Sequence, residues 1–283
     1  MEKIIVVGVD FSDCSINALE HALTIANAAE CDLRMVWVNK AKQEKSVALK
    51  SSEEAVADAH RAFEDMVEKY QPELKNKKID FVIREGKVYT EIVGQAEEDD
   101  AFMLVVGTHG SSGFEEFWIG SNAQKIVSAC HCPVITIRGG VDLERTLTKI
   151  LLPIDSTLET RQKVPYTSAL ASYFDAELVV LAVYSTQVRT VRQRVDRYVA
   201  QVIEYLEEYE VNFSKASIEA DNITNSTIDY AKQVDANLIS IMTEQEKTTT
   251  NLWLGPYAQQ MVNHSPIPVL SMHPKEYIRV LSR

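Results

Sequence analysis

The chain has only four cysteines, all in its first half, which excludes the disulfide framework of a small secreted domain. It has no apolar run approaching the roughly 20 residues that a membrane span needs, and its first strand-like segment begins at Lys3, so we expect neither a membrane protein nor a signal peptide. Positive charge is also scarce, because 29 basic residues face 41 acidic ones and the net charge is −12. Nucleic acid and anionic membranes are therefore disfavoured as partners, and these absences predict a cytoplasmic protein.

What is present fits a globular protein, and the chain repeats itself. Its 283 residues, 46% hydrophobic and 25% charged, are enough for two ordinary domains. Asp155 ends a strand-like segment, as Asp10 does 145 residues earlier. Gly255 corresponds to Gly120, which lies 135 residues before it. The second copy is therefore ten residues shorter, and the polar stretch Lys40–Ala59 of the first copy is where we expect the extra length. The repeat predicts two domains, 1–140 and 145–283, joined by a short linker at residues 139–142.

Each copy alternates apolar strands with segments of helical periodicity. In the first copy the predicted strands are Ile4–Val9, Leu33–Val38, Ile79–Arg84, Phe102–Val106 and Val134–Ile137. The predicted helices between them are Ser12–Ala29, Glu53–Tyr70 and Tyr89–Asp99. This alternation predicts an α/β fold, in which two tandem five-stranded parallel domains are doubly wound. Such domains bind ligands at the carboxyl ends of their strands, at the switch point.

A glycine-rich loop follows the predicted strand Phe102–Val106 and holds four of the ten glycines. Ser121 and Asn122, both good N-cap residues, then precede a helical stretch, Ala123–Cys130. Glycines allow close approach to an anion, and the first N–H groups of a helix point towards it, so the segment predicts a phosphate-binding site. It is neither a Walker loop nor the dinucleotide fingerprint.

The spacing Gly107-x2-Gly110-x9-Gly120-Ser121 resembles the nucleotide-binding signature of the universal stress protein family. The opening segment, Lys3–Ser12, is similar to the first strand of that family and to the acidic residue at its end. The segment Cys132–Ile137 resembles its last strand. The resemblance implies Rossmann-like (HUP-type) domains and a role in stress response.

The resemblance also implies a ligand, ATP or the related ADP or AMP, with Mg²⁺ as a candidate companion. It places Asp10 and the backbone near Val38 against the adenine, and Gly107 against the ribose. The residues that it assigns to the phosphates are Gly110, Gly120, Ser121 and Asn122. Asp10 and Ser121 also have a simpler interpretation as residues that cap helices, and for Asp10 the two roles are compatible.

Two features argue against nucleotide binding to different degrees. Glu115 and Glu116 lie inside the loop, where a carboxylate about 7 Å from a phosphate charge costs about 0.5 kcal/mol in a water-like dielectric. Whether they abolish binding stays open. In the second copy the loop is degenerate, because Met242, Gln245 and Pro256 replace Gly107, Gly110 and Ser121.

No catalytic or metal site is predicted. His109 is interpreted as a solvent-facing loop residue, and Cys130-His131-Cys132 as a helix end and the start of the next strand, since zinc sites use wider spacing and a second ligand pair. Phe117 and Trp118 are expected to seal the loop. The predicted function is a nucleotide-binding switch or sensor. The alternatives are a slow ATPase and a nucleotide-free interaction scaffold.

The last strand of each copy, Val134–Ile137 and Val269–Met272, would lie at an open sheet edge that invites another strand. The resemblance implies dimerisation through this strand. Because the two copies are covalently joined, we expect these strands to pair with each other inside one chain as a pseudo-dimer. Further assembly into a homo-oligomer is left open.

Overall fold

The computed structural model describes residues 3–40, 52–108, 120–138, 145–243 and 254–274. The first copy contains β1 (Ile4–Gly8), α1 (Asp13–Ala29), β2 (Asp32–Asn39), α2 (Ser52–Tyr70), β3 (Ile79–Glu85), α3 (Val88–Glu98), β4 (Met103–Gly107), α4 (Ser121–Ala129) and β5 (Val134–Ile137). The second contains β6 (Lys149–Ile154), α5 (Val164–Phe174), β7 (Glu177–Tyr184), α6 (Arg189–Glu208), β8 (Phe213–Glu219), α7 (Ile223–Gln233), β9 (Leu238–Met242), α8 (Pro256–His264) and β10 (Val269–Met272). Short 3₁₀ helices cover Gln71–Glu73 and Leu158–Arg161. The predicted linker at 139–142 lies outside the described residues.

All ten strands form one sheet in the order β3-β2-β1-β4-β5-β10-β9-β6-β7-β8. Pairing is parallel within each copy and antiparallel between β5 and β10, where Ile135 faces Leu270 and Thr136 faces Val269. The predicted fold class and the predicted pairing of the two final strands are both confirmed. The chain order reverses between β1 and β4 in the first copy, which is the switch point at which such sheets bind ligands.

The central strands are apolar on both faces because helices cover both sides of the sheet. Ile5 and Val7 of β1 join one buried core, with residues of α1, α2, α5 and α6. Val6 points to the other side and joins a second core, with residues of α3, α4, α7 and α8. This alternation follows from the two-residue period of a strand. Among the described helices, none has the length and apolar character needed to cross a bilayer.

Side chains beside the sheet also join the two copies. Tyr166 of α5 donates a hydrogen bond to the carbonyl oxygen of Phe102 at 2.9 Å, and their ring centroids are 5.2 Å apart. Lys3 Nζ donates to Tyr173 Oη at 2.6 Å. An ion pair between Arg145 and Glu20 adds a contact to α1. The two copies are therefore packed together by aromatic and charged contacts as well as by strand pairing.

Candidate functional site

The carboxyl ends of β1, β2 and β4 bring three of the predicted site residues to one edge of the sheet. Gly8 lies opposite Val106 on one side and opposite Val36 on the other. Asp10 therefore lies between the ends of the strands that carry Val38 and Gly107. The Val38 side chain is buried. Gly110 lies outside the described residues.

Asp10 orders the turn between β1 and α1. Its Oδ1 accepts hydrogen bonds from the Ser12 backbone N–H at 3.2 Å and from the Ser12 hydroxyl at 2.5 Å. Ser12 is the N-cap of α1 and its Oγ accepts from the Ser15 N–H, while Ser15 Oγ accepts from the Asp10 N–H at 3.2 Å. The N-cap of α1 is therefore Ser12 and not Asp10. Asp10 instead holds the turn that leads into the helix, and these contacts fix where its carboxylate lies.

Phe11, between Asp10 and Ser12, has a φ of +63°, which is unfavourable for a bulky side chain. Its ring packs against Phe63 and Trp37, with centroid distances of 5.0 and 6.4 Å. The aromatic packing holds the strained backbone of Phe11 in place. The left-handed conformation of Phe11 sets the direction in which the chain passes from β1 to α1.

Gly107 is required by packing within the protein. A Cβ at this position would lie 2.8 Å from Cys14 Sγ and 3.2 Å from the backbone of Cys14, which belongs to the first turn of α1. Only a residue without a side chain lets α1 begin this close to β4. The predicted ribose contact is a separate role, and the packing explains the glycine by itself.

The N-cap of α4 is Gly120, so the prediction that Ser121 and Asn122 cap this helix is wrong. Both residues lie inside the first turn, Ser121 exposed and Asn122 half-buried. The boundary shifts because the Gly120 N–H donates to the Thr108 carbonyl at 2.7 Å, closing the base of the loop. A Cβ on Gly120 would lie 3.1 Å from that carbonyl oxygen. Glycine offers no side-chain acceptor to the first N–H groups of α4, and they face the carboxyl edge of the sheet.

The rest of the predicted loop, residues 109–119, lies outside the described residues. His109, Glu115, Glu116, Phe117 and Trp118 belong to it. Across the described ranges, no group of three or more His, Cys, Asp or Glu side chains is placed to hold a metal ion.

The second copy repeats the acidic turn. Asp155 Oδ1 accepts from the Thr157 N–H at 2.8 Å and from its hydroxyl at 2.6 Å, and the Asp155 N–H donates to Thr160 Oγ1 at 3.3 Å. The counterparts of the first-copy edge residues line one cavity of about 1880 Å³, and they are Asp155, Val183, Met242, Thr243 and Tyr257. The repeat therefore brings these five positions together in three dimensions.

A comparison with protein families finds the same family in both copies. The family model described as "Universal stress protein family" matches residues 1–138 and again 146–273. The chain belongs to the universal stress protein family.

Single-domain members of the family match about half of the chain. Universal stress protein MJ0531 of Methanocaldococcus jannaschii is 28% identical over 144 residues, which is 48% of this chain and 82% of the relative. Universal stress protein YxiE of Bacillus subtilis is 25% identical over 146 residues, which is 47% of this chain and 96% of the relative. The alignments fit a chain that carries the family domain twice.

A solved structure shows the same tandem fold. The crystal structure of a universal stress protein from Archaeoglobus fulgidus superposes with a TM-score of 0.76 at 14% identity, covering 96% of this chain and 97% of that one. A protein of unknown function from Pseudomonas aeruginosa, PA1789, superposes with a TM-score of 0.67 at 14% identity, over 96% and 93% of the two chains. At this level of identity the likeness concerns the fold alone.

The two universal stress protein domains differ where the first strand meets its helix. Helix α5 begins at Val164, which corresponds to Leu19 in the middle of α1, and the residues before it form the 3₁₀ helix Leu158–Arg161. Met242 stands at the position of Gly107, where a side chain would collide with a helix that began as early as α1. Residues 157–163, which precede α5, line the cavity.

Lys163 lies directly before α5 and is almost fully buried. Its ammonium donates to the Thr160 carbonyl at 2.6 Å and to Thr160 Oγ1 at 3.3 Å. Burial lowers the pKa of Lys163 to about 8, against a smaller opposing effect of the Asp155 carboxylate. In addition, Pro256 occupies the first position of α8 and removes one N–H from the helix start. The second domain therefore differs chemically from the first.

The cavity is also lined by the first domain. Because β5 and β10 are antiparallel, the carboxyl edge of the second domain lies against the amino edge of the first. Residues 130–133 form part of the wall. The total volume exceeds the roughly 300–1,000 Å³ of most small-molecule sites, as expected for a cavity shared between domains.

Proposed function

We propose that the first domain, residues 1–140, binds ATP or a related adenine nucleotide, and that binding serves as a switch or sensor in stress response. The observation that carries the proposal is the arrangement at the switch point. An ordered acidic turn at Asp10 ends β1, and a helix with a glycine N-cap, α4, starts beside the end of β4. The second domain, residues 145–283, then has a structural or regulatory role.

The chemistry of the described residues suits such a ligand. The first turn of α4 offers backbone N–H groups and the positive end of a helix dipole to phosphates. The residues proposed to contact the phosphates are Gly110, Gly120, Ser121 and Asn122. Asp10 offers a carboxylate acceptor to the adenine amino group, and the backbone near Val38 borders the base. Mg²⁺, which usually binds through substrate phosphates and few protein ligands, would be held mainly by the nucleotide.

Titration calorimetry with ATP and Mg²⁺ tests the proposal. We expect saturation at one nucleotide per chain, and a micromolar affinity would correspond to about −8 kcal/mol. Saturation at two would show that the second domain binds as well. Mass spectrometry of the natively purified protein adds a second readout. Bound ATP supports the switch, bound ADP supports the slow ATPase, and the absence of nucleotide in both experiments supports the scaffold.

A charge substitution at the start of α4 locates the phosphates. Ser121 is exposed at the first position of the helix, so Ser121→Glu adds a carboxylate that the helix dipole favours by about 0.3–1 kcal/mol. The same carboxylate would repel a phosphate, and we expect ATP affinity to fall at least tenfold while the melting temperature does not fall. Ser121→Ala is the matched control and should bind within a few-fold of wild type. Unchanged ATP affinity in Ser121→Glu would contradict the assignment.

A further inference from the structure

Cys130 and Cys132 are in direct contact at the seam between the two domains. Their sulfur atoms are 3.3 Å apart, and either one can donate its S–H to the other. A disulfide has an S–S distance of about 2.05 Å, so closing the bond requires the sulfurs to approach by about 1.3 Å. The fold thus holds the two sulfur atoms close to bonding distance.

The backbone on both sides of the pair is anchored. The Cys130 N–H donates to the Ile126 carbonyl at 2.9 Å at the end of α4, and the Leu104 N–H donates to the Pro133 carbonyl at 2.9 Å at the start of β5. The two cysteines therefore lie between two fixed points, and the contact between their sulfurs is a property of the fold.

The pair can be reached by a small molecule. Cys130 is fully buried in the protein, but both cysteines line the cavity between the domains, and Cys132 is partly exposed. His131, between them, points outward with 84% of its side chain exposed, and its Nε2 is 3.7 Å from a carboxylate oxygen of Glu97. An S–H donated by Cys132 lowers the pKa of Cys130, which favours the thiolate that reacts with oxidants.

The other two cysteines provide the contrast. Cys14 lies in the first turn of α1 and Cys31 lies two residues after its end, so the helix keeps them about 25 Å apart. Both are buried, and burial raises the pKa of Cys31 to about 11. Cys14 and Cys31 therefore cannot pair with each other in the folded protein.

We propose that Cys130 and Cys132 form a reversible dithiol–disulfide site that reacts with hydrogen peroxide or with small organic disulfides. In the first case a thiolate attacks a peroxide oxygen, which gives a sulfenic acid and releases hydroxide. The second sulfur then attacks the sulfenic sulfur and displaces the oxygen as water. In total, two thiols and one peroxide give one disulfide and two molecules of water.

A small organic disulfide leads to the same product by exchange. One cysteine of the pair attacks it and releases one thiol, and the second cysteine resolves the mixed disulfide and releases the other. A dithiol reverses the reaction. The site lies where α4 ends and β5 begins, so it connects redox chemistry to the strand that joins the domains. The proposal does not depend on nucleotide binding.

Tryptic cleavage separates the two cysteine pairs. Cleavage after Lys125 and Arg138 places Cys130 and Cys132 together in peptide 126–138, and cleavage after Lys3 and Arg34 places Cys14 and Cys31 together in peptide 4–34. The folded protein is treated with hydrogen peroxide, or separately with oxidised glutathione. It is then unfolded in the presence of N-ethylmaleimide and digested, and the peptide masses are measured by mass spectrometry. Peptide 4–34 serves as the internal control.

We expect peptide 126–138 to take up no maleimide after oxidation and to be about 2 Da lighter than its reduced form, as loss of two hydrogens in a disulfide requires. Dithiothreitol should restore two labels, while peptide 4–34 takes up two labels throughout. In Cys130→Ser and in Cys132→Ser the closed peptide must be absent. Two maleimides on peptide 126–138 after oxidation would overturn the proposal. So would equal loss of label from both peptides, or covalent dimers on a non-reducing gel that Cys132→Ser abolishes.

Discussion

Gly107 and Cys14 meet where β4 passes the first turn of α1, so closely that a Cβ on Gly107 would lie 2.8 Å from Cys14 Sγ. The contact lets α1 begin at Asp13, beside the acidic turn. In the second domain, where Met242 takes the glycine position, the corresponding helix starts later and a cavity opens. The residue at the end of this strand is thus one of the differences between the two domains, beside Pro256 and Lys163.

The first prediction tests this contact. Gly107→Ala should destabilise the protein by about 1–3 kcal/mol, because the added methyl group overpacks the contact with Cys14. Gly94→Ala is the matched control, since its Cβ would have only Arg84 Nη2 nearby, at 3.8 Å, and alanine favours a helix. Urea unfolding measures both. Equal stability of the two variants would contradict a packing role for Gly107.

The second prediction separates the two roles of Asp10. Asp10→Ala and Asp155→Ala each remove an acceptor that holds the turn after a first strand, so both should lose about 1 kcal/mol of stability. Only Asp10→Ala should also weaken ATP binding. Calorimetry and urea unfolding on both variants measure the two effects. If Asp155→Ala reduced ATP affinity as strongly as Asp10→Ala, the assignment of the nucleotide to the first domain would be wrong.

The third prediction concerns acid. Burial lowers the pKa of His21 to about 4, with a further contribution from Arg145, while in the unfolded chain it is near 6.5. The unfolded state therefore binds more protons between these values, and the stability that His21 provides above pH 6.5 is lost as the pH falls towards 4. From pH 7.5 to pH 5 the loss from this group is about 2 kcal/mol.

Replacing His21 with glutamine tests the effect, because the variant has no titrating group at this position. The difference in the free energy of unfolding between His21→Gln and wild type should shift by about 2 kcal/mol in favour of the variant as the pH falls from 7.5 to 5. His60→Gln is the control, since the His60 side chain is 54% exposed. Parallel pH curves for wild type and His21→Gln would refute the prediction.

The fourth prediction concerns the seam between domains. Tyr166→Phe keeps the ring contact with Phe102 but removes the hydroxyl that donates to the Phe102 carbonyl, so it should cost about 1 kcal/mol. Tyr209→Phe removes a hydroxyl from a residue that is 58% exposed and stacked on Tyr205, and should be neutral within about 0.5 kcal/mol. Urea unfolding compares them. A neutral Tyr166→Phe would show that this hydrogen bond adds no net stability.

Much of the fold could be predicted from the sequence because the burial of a strand or helix produces a local pattern of apolar residues. Apolar runs such as residues 102–106 identified buried strands, helical periodicity identified α1 and α2 within one residue at each end, and the internal repeat paired Asp10 with Asp155. The pairing of the two final strands could be predicted because the resemblance implies dimerisation through the last strand and an open sheet edge needs a partner. The linker that joins the copies keeps that partner close.

Other features could not be predicted because they depend on which atoms meet across elements. Sequence preference favours Ser121 or Asn122 as the N-cap of α4, but the close approach of Gly120 to the Thr108 carbonyl moves the boundary. The contact between Gly107 and Cys14 and the later start of α5 depend on how closely a helix crosses a strand end.

The cavity between the domains and the proximity of its dithiol to the second domain arise only in the folded chain. Antiparallel pairing of β5 with β10 places the carboxyl edge of one domain against the amino edge of the other, next to Cys130 and Cys132. The sequence by itself determined the elements and their order, because periodic burial is a local property. The tertiary structure alone decided which side chains share a site, because crossing distances and edge-to-edge packing are set by residues far apart in the chain.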